Sequence, residues 1–254
     1  MPLQVVLENH VVVITIDNPP LNTLLNADID QLRDTVDGFA SDPKVRVAII
    51  TGSGTRSFTA GMDLAEMSFD SSSEPVNPRF ARNYIQALRD ASVPIIAAVN
   101  GYCLGHGIAI ATSCDVVLAS RNAEFGLPEI NIGAGNGQRL MRELFPKGHA
   151  RHAFFTGEYI PAEEAYRVGA IFGIYAPDQL MDAARTLADL IARKSPLSIR
   201  MFKETVKWSD EMDVQTGYRF EGEMTAKLRR SSEGAAEMLE ARMAFFEKRA
   251  PNYD

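Results

Sequence analysis

Cys103 stands in the spacing Gly101-Tyr102-Cys103-Leu104-Gly105, the glycine-x-nucleophile-x-glycine pattern that lifts a nucleophile onto a sharp strand-to-helix turn. With Asp115 and His149 or His152 downstream, a hydrolase's nucleophile, acid and histidine could be assembled in order, and a thiolate at a helix N-terminus would be activated. The surroundings are apolar, however, where a buried, inert thiol is the commoner outcome. A second pattern, Thr51-Gly52-Ser53-Gly54-Thr55, begins like a dinucleotide-binding loop, but its third glycine would fall on Ser57 and no helix pattern opens directly after it. It reads as a turn.

A third reading uses two longer segments together: Ser57-Phe58-Thr59-Ala60-Gly61-Met62-Asp63-Leu64-Ala65-Glu66-Met67, and the run from Ile95 to Gly107 that ends Gly105-His106-Gly107. In each, small residues or glycines precede a helix start, where free main-chain N–H groups converge and favour negative charge. Two such ends could clasp one developing oxyanion. The competing explanation is that the glycines only let backbones pack closely.

The elements that would carry these segments alternate. Val5 to Leu7 and Val11 to Ile16 read as a hairpin, and Ile29, Leu32, Val36 and Phe39 fall at helical spacing. Strands are expected over Val45 to Thr51, Ile95 to Val99 and Val116 to Ala119, with helices near Phe80 to Leu88 and over Gly105 to Ser113. The polar run Ser71-Ser72-Ser73-Glu74-Pro75 reads as a loop that could border a site. After Lys147 the pattern turns helical, at Ala162 to Val168, Gln179 to Ala192, Leu197 to Val206, Tyr218 to Lys227 and Ala235 to Phe246, with one strand at Ala170 to Tyr175. A layered α/β core over residues 1–195 and a helical region over 196–254 follow, the latter able to pack on a neighbouring subunit.

Composition narrows the partners. In 254 residues there are 26 Lys+Arg against 33 Asp+Glu, a formal charge of −7, and no Lys/Arg cluster is longer than a pair such as Arg229-Arg230. Nucleic acid and anionic lipid therefore find little to hold. The most apolar stretch, Val93 to Ala111, is broken by Pro94, Asn100 and several glycines, so no membrane span is expected. Two cysteines and four histidines have no metal-ligand spacing, and no signal-peptide pattern opens the chain, so a metal-free cytoplasmic protein is expected.

With these segments in view, the sequence resembles the crotonase (enoyl-CoA hydratase/isomerase) superfamily over essentially its whole length. Phe125-Gly126-Leu127-Pro128-Glu129 is similar to the family's stretch bearing a catalytic carboxylate, and Phe155 to Ala165 and the tail Phe246-Glu247-Lys248-Arg249 also match. The resemblance implies an α/β fold of spiralling ββα units with a C-terminal helical trimerisation region, and a homotrimer or dimer of trimers. It implies an acyl-CoA thioester substrate, with no cofactor beyond the CoA of the substrate itself. The thioester oxygen would accept from the N–H groups of Met62 and His106, with Ala60, Asp63 and Leu64 beside them.

Departures from the family pattern bear on the reaction. The first of two hydratase glutamates would fall at Ala109, leaving Glu129 as the one acid at a family catalytic position. Moving a double bond needs one base that lifts and returns a proton, whereas hydration is helped by two groups. Isomerisation of a 3-enoyl-CoA to a 2-enoyl-CoA is therefore the preferred expectation. A one-glutamate hydratase or dehydratase is the alternative, followed by a family hydrolase and a silent acyl-CoA binder. The His106 side chain could line the pocket, act as a second acid/base, or point away with only its N–H mattering, and the last is preferred. Ala65 and Pro19-Pro20 stand where relatives place basic residues toward the CoA phosphates, which leaves Lys248 as the candidate phosphate contact. The segment Ile132 to Arg139 is shorter than the family's Gly/Pro-rich stretch and would reshape the acyl pocket.

Overall fold

A computed structural model describes residues 3–63 and 78–253, with side chains in the second helix described from Tyr84 onward. The chain opens with β1 (Leu3–Glu8) and β2 (Val11–Ile16), paired antiparallel from Leu3 opposite Ile16 to Glu8 opposite Val11. Asn9 and His10 both take positive φ, 49° and 68°, the left-handed pair that matches a two-residue turn to strand twist. β2 then pairs in parallel with β3 (Val47–Gly52), and β5 (Ile95–Val99), β7 (Val116–Ser120) and β10 (Gly173–Tyr175) extend a six-stranded sheet in the order β1-β2-β3-β5-β7-β10. β3 and β5 are buried throughout, which is why they read as unbroken apolar runs.

β3, β5 and β7 are each followed by a turn and a short strand. β4 (Ser57–Thr59), β6 (Tyr102–Leu104) and β8 (Glu124–Gly126) lie side by side in a second sheet, closed by β9 (Ile160–Pro161). A helix comes next in each case: α2 (Pro78–Arg89), α3 (His106–Ser113) and a five-residue 3-10 turn, Pro128–Ile132. This is the spiral of ββα units implied by the resemblance. Asn100 fixes the first two windings, its amide donating to the carbonyls of Gly52 and Gly54 and accepting from Gly52 N–H. At Gly52 and Gly101 a Cβ would stand 2.2 Å from the carbonyls of Ser57 and Arg56, so these glycines do serve close backbone approach.

One face of the large sheet is covered by α7 (Leu180–Ala192), whose Leu180, Ala184, Ala188 and Ala192 form a stripe of mostly small residues four apart. Against the other face lie α1 (Asn26–Gly38), α2 and α3. α4 (Gln138–Leu144), α5 (Lys147–Thr156) and α6 (Ala162–Arg167) complete that side. The tail is α8 (Pro196–Ser209), α9 (Val214–Arg230) and α10 (Ser232–Glu247). α8 is fastened to the core by Arg200, which donates to the carbonyls of Phe39, Asp42 and Val45 and to Ser92 Oγ, and by Lys203, 2.7 Å from Asp115. Val214, Tyr218, Phe245 and Phe246 are exposed on α9 and α10. Among the described residues no helix is long and apolar enough to cross a membrane.

Several boundaries differ from the sequence expectations. The strand expected over Ala170 to Tyr175 begins only at Gly173, because Ala170 N–H turns back to Ala165 O to close α6. The tail helices are longer than their apolar spacing suggested, since Ser195, Asp213 and Ser231 accept from main-chain N–H groups and start them earlier. The helix expected from Gly105 begins at His106, with Gly105 as its cap. The polar run Ser71 to Pro75 lies outside the described residues.

Candidate active site

The three short strands β4, β6 and β8 deliver their C-terminal ends to one place. After β4, Gly61 (φ 99°) leads into Met62, which forms a parallel bridge with Leu24. That bridge uses the carbonyl of Gly61, accepting from Leu24 N–H, and the N–H of Asp63, donating to Leu24 O. Met62's own N–H is not spent in it. After β6, Gly105 (φ 54°) caps α3, so His106 supplies the first N–H of the helix, one with no carbonyl four residues back to accept it. The two segments nearly touch: a Cβ on Gly61 would stand 3.4 Å from His106 N and 3.3 Å from Leu104 O.

The third strand end brings the acid. Glu129 sits in the first turn of Pro128–Ile132, and a Cβ on Gly105 would lie only 2.6 Å from its Oε1 and 3.7 Å from Gly61 Cα. Glycine is required at 105 on two counts, the positive φ and this close approach of the carboxylate. Glu129 Oε2 is buried without a hydrogen-bond partner. Burial pushes the carboxyl above its ordinary value, with a main-chain hydrogen bond opposing weakly. A desolvated carboxylate can move a proton, and main-chain N–H groups directed at a developing enolate would stabilise it.

The side chain of His106 is half-buried and stacks on Tyr84 of α2, with ring centroids 5.8 Å apart and planes inclined by 23°. Its Nδ1 is buried and unpartnered, as is Tyr84 Oη. Burial lowers the imidazole to about 4 and raises the phenol, so both are neutral across physiological pH. The sequence expectation that this side chain turns away with no part to play thus meets a ring packed inward, held by a stacking contact that a linear reading could not show. Tyr84 itself was missed, because on an apolar helix face it reads as core.

Other predicted residues fall as follows. Ala60 donates its N–H to Leu21 O at the start of the Gly61 turn, and Asp63 accepts from Thr23 Oγ1, so both flank Met62. Leu64 and Ala65 lie outside the described residues. Ala109 is buried on α3 and supplies no acid. Lys248 takes a left-handed cap at the end of α10, a helix packed on α8 and α9, and the structure does not bring it to Glu129. Cys103 lies inside β6, fully buried, with its thiol pushed up by that burial. Asp115 is engaged by Lys203 and His149 by Glu164, so the hydrolase constellation is not assembled. Among the described residues no group of three His, Cys, Asp or Glu side chains could hold a metal.

Comparison with known proteins bears on this geometry. The family model described as enoyl-CoA hydratase/isomerase matches residues 7–254. A short-chain-enoyl-CoA hydratase of Clostridium acetobutylicum is 35% identical, over 95% of this chain and 93% of its own. A 2,3-dehydroadipyl-CoA hydratase of Escherichia coli is also 35% identical, over 97% and 96% respectively. Among solved structures, Pseudomonas aeruginosa DspI superimposes with a TM-score of 0.90 at 30% identity, covering 100% of this chain and 97% of that one.

Proposed function

Since the chain belongs to the enoyl-CoA hydratase/isomerase family, we propose that it hydrates a 2-enoyl-CoA reversibly to a 3-hydroxyacyl-CoA, with Glu129 as the single acid/base group. Its relatives' names weigh toward hydration, which reverses the preference drawn from Ala109 alone. The observation that carries the reading is the Glu129 carboxylate packed against Gly105, one residue from the first N–H of α3 and facing the Gly61-Met62 turn.

The chemistry closes on these groups. Met62 N–H and His106 N–H donate to the thioester oxygen and so draw electrons from C3. Ionised Glu129 takes a proton from water as the water oxygen bonds to C3, and the electron pair of the double bond moves onto the thioester oxygen as an enolate. Glu129 then gives its proton to C2, so hydroxyl and hydrogen are added and the carboxylate is regenerated. Preorganised donors aimed at such charge are worth ~10²–10³ in rate each. Being main-chain groups, they tolerate methionine and histidine as side chains. For CoA itself, Ala60 and Asp63 border the thioester end, and Lys248 would reach a phosphate through assembly of several chains. The exposed aromatics of α9 and α10 support such a homotrimer or dimer of trimers.

A second reading rests on Ala109: with no second acid, Glu129 could instead take the C2 proton of a 3-enoyl-CoA and return it to C4. Incubation with crotonyl-CoA and, separately, a 3-enoyl-CoA, followed by product analysis, decides between them. A 3-hydroxyacyl product from crotonyl-CoA is expected. A shifted double bond without hydration would replace hydratase by isomerase, release of free CoA would indicate a hydrolase, and binding without turnover a silent binder.

A further inference from the structure

Three polar atoms near the head of α3 are withdrawn from water and bonded to nothing: Tyr84 Oη, His106 Nδ1 and Glu129 Oε2. Leaving a buried donor or acceptor unmade costs about 1–3 kcal/mol each, so a fold seldom keeps such atoms together without a use. Glu129 is accounted for by the proposed reaction. The other two are not, although they are coupled by the Tyr84–His106 stack and reach Glu129 through the single step from His106 to Gly105. Tyr84 is fully buried on α2, a helix packed against α3.

We propose that Tyr84 and His106 form a polar subsite for an O–H group, taking water in the hydration direction and the 3-hydroxyl of the acyl chain in the reverse. This rests on the hydratase reading above and names the groups that do there what a carboxylate at position 109 would do. A neutral phenol donates, and a neutral imidazole nitrogen accepts or donates according to tautomer. An O–H group needs just such a pair, one partner to give a hydrogen bond and one to take it. Because both side chains resist ionisation at their positions, the subsite suits a neutral ligand at pH 7. Water held here would complete the geometry that Glu129, a single carboxylate, cannot set alone.

The test compares two saturated probes, 3-hydroxybutyryl-CoA and butyryl-CoA, binding by calorimetry to the full-length protein, to Tyr84→Phe and to His106→Phe, alongside hydration rates with crotonyl-CoA. Glu129→Gln in each background prevents turnover during the binding measurement. The unsubstituted pair is expected to favour the hydroxylated probe about tenfold, the worth of one neutral hydrogen bond. Tyr84→Phe should bring that ratio near one, leave butyryl-CoA affinity unchanged and slow hydration about tenfold or more. The same variant deletes an atom with no partner, so its thermal midpoint should hold or rise, which separates a binding role from a packing one. An unchanged probe ratio in both variants would overturn the subsite while the hydratase reading stands, provided crotonyl-CoA is still hydrated. Failure of the unsubstituted protein to hydrate crotonyl-CoA would overturn both.

Discussion

On α8, Arg200 donates to three main-chain carbonyls and a serine hydroxyl, and Lys203 holds both oxygens of Asp115; beside α3, polar atoms of Tyr84, His106 and Glu129 are hidden from water and hold nothing. The first region uses buried charge to fasten a tail helix to a sheet. The second accepts the cost of idle polar atoms so that a ligand can complete them. Burial alone therefore does not mark a functional residue here. What distinguishes the two regions is whether the buried group has already spent its hydrogen bonds, and substitutions should separate them into activity losses and stability losses.

The largest effect is expected at Glu129. Glu129→Gln should lower kcat by ~10²–10⁴, the usual range for a lost general base, with acyl-CoA affinity and thermal midpoint retained. Undiminished turnover would remove Glu129 from the chemistry. Next, Gly105→Ala would press a methyl group onto the Glu129 carboxylate in a backbone conformation hostile to side chains. It should cost about a hundredfold in kcat/KM. Near-normal kinetics would show that the carboxylate has room the geometry denies it.

From the satisfied region the expected loss is of the other kind. Lys203→Met leaves Asp115 with Ile95 N–H but without its cation and should destabilise the fold by about 1–2 kcal/mol in urea titration, while specific activity of the folded protein stays put. A variant as stable as its parent but slow would erase the contrast drawn above. The smallest effect concerns pH. His106 binds its proton less readily folded than unfolded, about 4 against an ordinary 6.5, so its contribution to stability is lost as pH falls through that window. Glu129, raised by burial, works in the opposite sense: the folded chain takes its proton first, and stability from it grows on acidification toward the ordinary carboxyl value. His106→Phe should thus lessen the stability lost between pH 7 and pH 4.5 by on the order of 1–2 kcal/mol. Equal losses in both proteins would show that the ring is not held neutral by its surroundings.

Much of the candidate site was legible in the residues because it consists of main-chain turns and one acid in a distinctive setting. Gly61-Met62, Gly105-His106 and Pro128-Glu129 announce themselves through glycine, proline and spacing, and the structure brings all three together. The parallel strands were readable too, since burial on both faces leaves an apolar run with few alternatives. β4, β6 and β8 were not, for three residues carry no periodicity. Tyr84 was hidden for a different reason. Its significance lies in a missing partner and a ring contact with a residue from another helix, and neither exists until the chain has folded. Lys248 illustrates the converse, a residue picked out by its place in the sequence that lies at the end of α10, a helix packed on α8 and α9.

The windings of the spiral also carry a kinetic implication. Gly61, Gly105 and Glu129 hang from neighbouring short strands, each preceded by a long strand in the other sheet, so no local segment can preassemble the reaction centre. Such non-local parallel pairing forms slowly and late. During renaturation, helical signal should return well before catalysis, and enzyme assays should serve as the most stringent reporter that the last winding has closed.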